Sequence, residues 1–407
     1  MRSEPVRSEP GALPAPGFIP LCVPVVRGNE WVYVKECLDT GWVSSVGSYV
    51  DRFEREMAAR AGTSQAVATV NGTSALHAAL LVAGVQTDDE VLVSTLTFIA
   101  PANAIRYAGA WPVFIDADPQ FWQMDAARVT EFLRVRCEWR GGALHNRQTG
   151  RRVKAIIPVH ILGHPVDLDP ILALAREFGL AVIEDATESL GASYRGRAIG
   201  SIGDLACFSF NGNKIITTGG GGMITTSNGE FAKKAKYLTT QAKDDPLEYE
   251  HREIGYNYRL TNIQAAMGCA QLEELDAYIA RKRDTARFYE EALTDIPGIT
   301  CMPQAPWAES ISWMFTIRVD AAAFGMDSRA LLQYLEGEKI QSRPLWQPMH
   351  RSLAHAGAEV VGGEVADVLY REGLSLPCSA DISDAQRGRV AAAIRAAHAP
   401  RRLSNAV

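Results

Sequence analysis

Short apolar runs recur along the first half of the chain: VLVST (91–95), WPVFIDA (111–117), KAIIPVH (154–160), LAVIEDA (180–186) and DLACFSF (204–210). They are strand-sized, and several are rich in β-branched residues. Stretches with helical periodicity lie between many of them, such as SALHAALLVAG (74–84) and LDPILALAREFG (168–179). Continuous apolar strands alternating with amphipathic helices predict an α/β fold with a mostly parallel central sheet, covered by helices on both faces. In such sheets ligands sit beyond the carboxyl ends of the strands. The residues that follow each run are therefore the first place to look for chemistry.

Elsewhere the pattern changes. Residues 28 to 60 read as helical, and CEWRGGALHNRQTGRRV (137–153) reads as a surface hairpin or long loop. Its arginines fit a solvated face better than a binding patch. TNIQAAMGCAQLEELDAYIARKRDTARFYEEAL (261–293) has unbroken helical periodicity, as one long helix or two joined ones. After it, strand-like MFTIRVD (314–320) and helical SRALLQYLEGE (328–338) suggest a small α+β unit. The expected organisation is an arm over 1–17, a large domain over 18–270, a small C-terminal domain over 271–400 and a polar tail over 401–407.

Composition narrows the class. With 407 residues, 47% apolar and 22% charged, the chain is ordinary globular material, long enough for a large core. Lys and Arg number 41 against 47 Asp and Glu, a net charge of −6, which gives no support to nucleic-acid binding. Any anionic ligand must be held by local cations. The seven cysteines are scattered without C-x-x-C or zinc spacing, as expected of reduced thiols in a cytoplasmic protein with no metal. No apolar run approaches the roughly 18 residues of a membrane span, and the proline-rich start, with its RSEP repeat, does not resemble a signal peptide.

The candidate chemistry lies at the strand ends. In VNGTSALHAAL, Gly72, Thr73 and Ser74 stand at the start of a helix, where Ser or Thr caps free N–H groups and the same groups can bind an anion. Phe98, in VLVSTLTFIAPANAI, is an aromatic that either stacks on a flat ligand or joins the core. Glu184 and Asp185 end an apolar strand and point opposite ways, with Glu188 just beyond. In DLACFSFNGNKIITTGGGGMITT, Lys214 precedes four glycines, the reverse of a P-loop. Of nine lysines it alone sits between an apolar strand and a glycine run, where it can serve as an amine nucleophile. An anion site, an aromatic, a strand-end Asp and a semi-buried Lys together meet the needs of pyridoxal phosphate. Those needs are phosphate donors, a stacking face, a carboxylate at the ring nitrogen and a lysine for the aldehyde.

The motifs NGTSALHAAL, TLTFIAPANAI, PVHILGHPVDLD, IEDATESLGA, FSFNGNKIITTGGGGM and GYNYRLTNIQAA resemble the DegT/StrS-type nucleotide-sugar aminotransferases over about 20 to 380. Those are fold-type I, pyridoxal phosphate-dependent enzymes. FSFNGNKIITTGGGG and QAKDDPLEYEHREIGYNYRLTNIQAA look most like the LegC-like branch, which aminates the 4-keto carbon of UDP-linked 2-acetamido-2,6-dideoxy sugars.

The resemblance implies that Lys214 is the Schiff-base lysine and that Asp185 pairs with the cofactor's ring nitrogen. Phe98 would lie against the ring. Thr73 and Ser74, beside Gly72 and helped by Ser209, would hold the phosphate. Asn257 would reach the phosphate of a neighbouring subunit's cofactor in a homodimer with shared active sites. Glu188 stands where many relatives have Gln or His, near the phenolic oxygen. Arg259, Arg343 and His350 are candidates for the substrate diphosphate, and Trp346 for the uracil. The implied amino donor is L-glutamate. Other acceptors (3-keto, GDP- or dTDP-linked sugars) and a non-catalytic regulatory paralogue remain alternatives. A dehydratase of the same fold would carry His in place of Lys214.

Overall fold

The computed structural model describes residues 17–245 and 247–398. The tail expected over 401–407, and the arm over 1–17 apart from Gly17, lie outside the described residues. An eight-stranded sheet runs in the order Gln65–Thr69, Gly222–Thr226, Leu205–Ser209, Ala181–Asp185, Val153–Ile157, Glu90–Ser94, Trp111–Ile115 and Glu359–Val361. The five neighbouring pairs from Leu205–Ser209 to Glu359–Val361 are parallel. Gly222–Thr226 is antiparallel to both its neighbours. Every residue of Glu90–Ser94 is buried, as expected of a strand covered on both faces. The five apolar runs read from the sequence all form strands of this sheet.

Two predicted features take the expected form. Cys137–Arg140 and Ala143–Asn146 pair as a hairpin, with Gly141 and Gly142 at φ +59° and +80°. Positive φ at both turn residues matches the twist of the flanking strands. Its arginines are engaged locally: Arg152 pairs with Asp89 at 2.6 Å, and the guanidinium of Arg151 lies 4.4 Å from the Trp111 ring. The helical stretch after 261 is two joined helices, Asn262–Glu273 and Leu275–Leu293, the first opened by a Thr261/Gln264 capping box.

The C-terminal part forms a four-stranded antiparallel sheet of Ile299–Cys301, Phe315–Val319, Gly373–Leu376 and Arg343–Pro344. One of its segments crosses the boundary expected at 270. Glu359–Val361 leaves that region and adds a parallel edge strand beside Trp111–Ile115. Three residues carry too little pattern to be read as a strand.

Phe53 locks the helical layer to the sheet. It is fully buried on helix Ser48–Ala61, its ring centroid 4.9 Å from that of Phe210, just past strand Leu205–Ser209. Helix Asn262–Glu273 comes close only because it presents Gly268; a Cβ there would lie 2.6 Å from the Phe53 ring. Phe53→Ala removes this contact and is expected to cost about 3–5 kcal/mol. The measurement is the denaturant midpoint. Retention of bound cofactor should weaken as well, because Phe210 leads into the turn that carries Lys214.

Candidate active site

Strand Ala181–Asp185 ends in two carboxylates that face opposite ways. Glu184 is fully buried and structural. It accepts N–H bonds from Gly200 (3.2 Å), Ile202 (2.8 Å) and Gly203 (2.8 Å), and lies 3.2 Å from His160 Nε2. The Nδ1 of His160 accepts from Val166 N–H at 3.0 Å, which leaves its proton on Nε2, aimed at Glu184. Burial raises the Glu184 carboxyl, but these donors, His160 first, outweigh it and hold it below its ordinary value.

Asp185 turns into a cavity of about 320 Å³. Its backbone N–H bonds Pro158 O, its carbonyl accepts from His160 N–H, and its Oδ1 accepts from Thr187 N–H at 3.1 Å. Burial pushes the Asp185 carboxyl up, against the pull of the Thr187 hydrogen bonds and the Lys214 charge.

Lys214 follows strand Leu205–Ser209 by a short turn, with its backbone N–H bonded to Asn211 O. Its Nζ is 3.5 Å from Glu188 Oε1 and 4.3 Å from the centre of the Trp313 ring. Trp313 is itself fixed, donating Nε1–H to Asn213 O at 2.9 Å. The other oxygen of Glu188 accepts from Leu162 N–H at 2.8 Å. Glu188 thus pairs with a cation and an amide, the arrangement a buried carboxylate requires. Burial still raises its carboxyl, partly opposed by Lys214.

The anion site is built differently from the sequence expectation. The helix begins at Gly72, and its N-cap is Asn71, whose Oδ1 accepts from Ser74 N–H at 2.8 Å. Thr73 and Ser74 therefore lie inside the first turn rather than at the cap. The N–H groups of Gly72 and Thr73 have no acceptor among the described residues, and this unanswered pair is what an anion at a helix N-terminus uses. Glycine keeps the cradle open: a Cβ at Gly72 would lie 2.8 Å from Ser209 Cβ, and one at Gly222 would lie 2.5 Å from Asn71 O.

Of the residues singled out in the sequence, Gly72, Thr73, Phe98, Asp185, Glu188, Ser209 and Lys214 line this one cavity, with Trp346. Phe98 is 55% exposed on its wall, an aromatic face without a core role. Ser74 is buried behind the wall. Asn257 is exposed and outside the cavity. Arg259 is half-buried and Arg343 exposed; neither has an acidic partner among the described residues, and neither lines the cavity. His350 is not free to meet a diphosphate. Its Nδ1 is 2.8 Å from Thr95 Oγ1, its Nε2 is 3.2 Å from Asp367 Oδ1, and it does not line the cavity. Trp313, Thr187, Asn211 and Asn213 also line the wall and were not read from the sequence. Trp313 arrives from about 100 residues downstream of Lys214, in a stretch whose only signal was a strand.

These residues fit pyridoxal phosphate. Two free N–H groups and Ser209 suit its phosphate, and Phe98 its ring. The buried, under-compensated carboxylate of Asp185 suits a cationic ring nitrogen, and Lys214 its aldehyde.

Residues 25–395 match the DegT/DnrJ/EryC1/StrS aminotransferase family. The chain is 41% identical to GDP-perosamine synthase of Caulobacter vibrioides, over 92% of this chain and 97% of that protein. It is 36% identical to GDP-perosamine synthase of Escherichia coli O157:H7, over 91% and 95%. Its fold superposes on the aminotransferase TlmJ of Streptoalloteichus hindustanus with a TM-score of 0.84 at 28% identity, covering 93% of this chain and 98% of that one. The chain belongs to the DegT/DnrJ/EryC1/StrS aminotransferase family and is a pyridoxal phosphate-dependent sugar aminotransferase.

Proposed function

We propose that this enzyme moves the amino group of L-glutamate to C4 of a GDP-linked 4-keto-6-deoxyhexose. The observation that carries the reading is the convergence of Lys214, Asp185, Phe98 and the free N–H groups of Gly72 and Thr73 on one cavity. The choice of nucleotide is supported by the GDP-perosamine synthases among its relatives, perosamine being a 4-amino sugar. A second reading, the UDP-linked 2-acetamido-2,6-dideoxy-4-keto sugar, is favoured by the wording of the Lys214 and Asn257 motifs.

The geometry supports the following roles. Gly72, Thr73 and Ser209 hold the cofactor phosphate, Phe98 faces the ring, and Asp185 keeps the ring nitrogen protonated. When bound, the cofactor supplies an electron sink for the carbon that loses or gains a proton. Lys214 Nζ moves that proton to and from the substrate carbon. Trp313 and Glu188 hold Nζ in place. Because burial raises the Glu188 carboxyl, a phenolic oxygen beside it meets a group that keeps its proton more readily than an exposed acid would. Arg259 and Arg343 supply cations for the sugar-nucleotide diphosphate, through a fork suited to phosphate oxygens.

A second copy of the chain completes the site in this reading, with Asn257 reaching across. The exposed apolar residues Trp31, Leu38, Trp42, Val46 and Ile254 suit a face covered in a dimer. We place the reaction in the cytoplasm. The seven unpaired cysteines suit a reducing compartment, and no helix among the described residues is long and apolar enough to cross a membrane.

Three outcomes test this. Lys214→Ala should abolish turnover and the visible absorbance of the lysine-bound cofactor; a variant that keeps both contradicts the assignment. Purified enzyme offered GDP-, UDP- and dTDP-linked 4-keto and 3-keto sugars with glutamate should aminate the GDP-linked 4-keto sugar best, with ping-pong kinetics. Preference for the UDP-linked sugar selects the second reading, and amination of a 3-keto sugar alone rejects both.

The third concerns Asp185. Its carboxyl is raised above its ordinary 3.8, so the folded, cofactor-free protein binds that proton more tightly than the unfolded chain. The associated stability is present below the unfolded value and is lost as pH rises through the folded one. Asp185→Asn should therefore raise the melting midpoint of the cofactor-free protein at pH 7.5, with a smaller gain near pH 4. Turnover should fall on the order of 10²–10⁴-fold.

A further inference from the structure

Behind the Lys214 turn lies a second cluster that the aminotransfer reaction does not use. Lys282, on helix Leu275–Leu293, is 2% exposed. Its Nζ donates to Trp313 O at 2.7 Å, and lies 3.5 Å from Cys22 Sγ and 3.7 Å from Cys378 Sγ. No carboxylate pairs with it among the described residues. A buried ammonium needs a counter-charge, and the acidic groups against it are these two thiols. Cys22 Sγ donates to Asn213 O at 3.6 Å and Cys378 Sγ to Trp313 O at 3.5 Å, so the two thiols meet at the one Lys282 ammonium. The backbones are pinned side by side, by Cys378 N–H to Leu21 O at 2.8 Å and Val23 N–H to Ser379 Oγ at 3.0 Å.

We propose that Cys22 and Cys378 form a peroxide-responsive dithiol, with Cys22 the attacking sulfur, Cys378 the resolving one and Lys282 the buried cation that charges the pair. Cys22 is partly exposed, whereas Cys378 is 1% exposed. The neighbouring Cys378 thiol, with the charge of Lys282, outweighs burial and brings the Cys22 thiol down to about 6. Burial pushes Cys37, Cys137, Cys207, Cys269 and Cys301 the other way. Hydrogen peroxide is the oxidant. The Cys22 thiolate attacks one oxygen, the O–O bond breaks, a sulfenic acid forms, and the departing hydroxide takes up the proton that the thiol had released. Cys378 then attacks the sulfenic sulfur; the S–O bond breaks, the S–S bond forms, and its thiol proton leaves with the hydroxyl as water. Two thiols lose two electrons, and one peroxide becomes two waters. Such reversible bonds are the kind found in reducing compartments.

The test uses the native holoenzyme and needs no substrate. At pH 6.5 iodoacetamide should modify Cys22 about five- to tenfold faster than in the unfolded chain, since the gain in thiolate exceeds the loss of nucleophilicity. Equal rates overturn the charged pair in wild-type protein alone. Lys282→Met should remove the acceleration, and Lys282→Arg should retain much of it. After one equivalent of peroxide, a non-reduced peptide map should show Cys22 joined to Cys378, with two thiols lost and restored by dithiothreitol. In Cys378→Ser, dimedone should label Cys22. Cys22 and Cys378 both remaining alkylatable while other thiols oxidise, or dimedone labelling elsewhere, overturns the proposal.

Discussion

The site depends on the cost of ending a buried parallel strand in two acids. Glu184 is tolerable because every direction around it holds a donor: His160 on one side and the amides of Gly200, Ile202 and Gly203 on the other. Those bonds fix the turn after residue 199 and the loop from 160 to 166. That loop supplies Leu162 N–H to Glu188, which in turn meets Lys214. Asp185, one residue on and facing the opposite way, is left with fewer donors. One strand end thus contains a satisfied carboxylate that holds the scaffold and a less satisfied one that awaits a cation.

Much of this was legible in the sequence, because it follows from local rules. The period of two along LAVIEDA separates Glu184 from Asp185, and the apolar strand before Lys214 with glycines after it marks a close approach of backbone to ligand. Where reading fell short, the reason was distance or neighbourhood. Asn71 takes the cap because its side chain reaches Ser74 N–H from the residue before Gly72, which moves Thr73 and Ser74 one step inside the helix. His350 looked available in its motif, but Asp367 and Thr95 occupy it from other elements. Trp313 reaches Lys214 only through the packing of the C-terminal segment, which no local pattern announces.

The net charge of −6 coexists with an anionic substrate because the cations are distributed unevenly. Most arginines are committed: Arg152 to Asp89, Arg318 to Glu372, Arg395 to Asp295. Arg259 and Arg343 have no acidic partner among the described residues. A charge left unpaired on an acidic protein is a local exception in the field, and in the proposed function it is these two arginines that meet the diphosphate.

The eighth strand of the large sheet gives the chain an order of assembly. Trp111–Ile115 emerges from the ribosome early, but its outer partner Glu359–Val361 is made about 240 residues later. At 5–20 residues per second that interval is on the order of 10–50 s, during which an apolar strand has one edge open. Exposed edges of this kind invite pairing with other chains. The nascent protein therefore spends its most vulnerable period with its catalytic strands made and its sheet unsealed, and the closing stitch comes from the last sixth of the polypeptide.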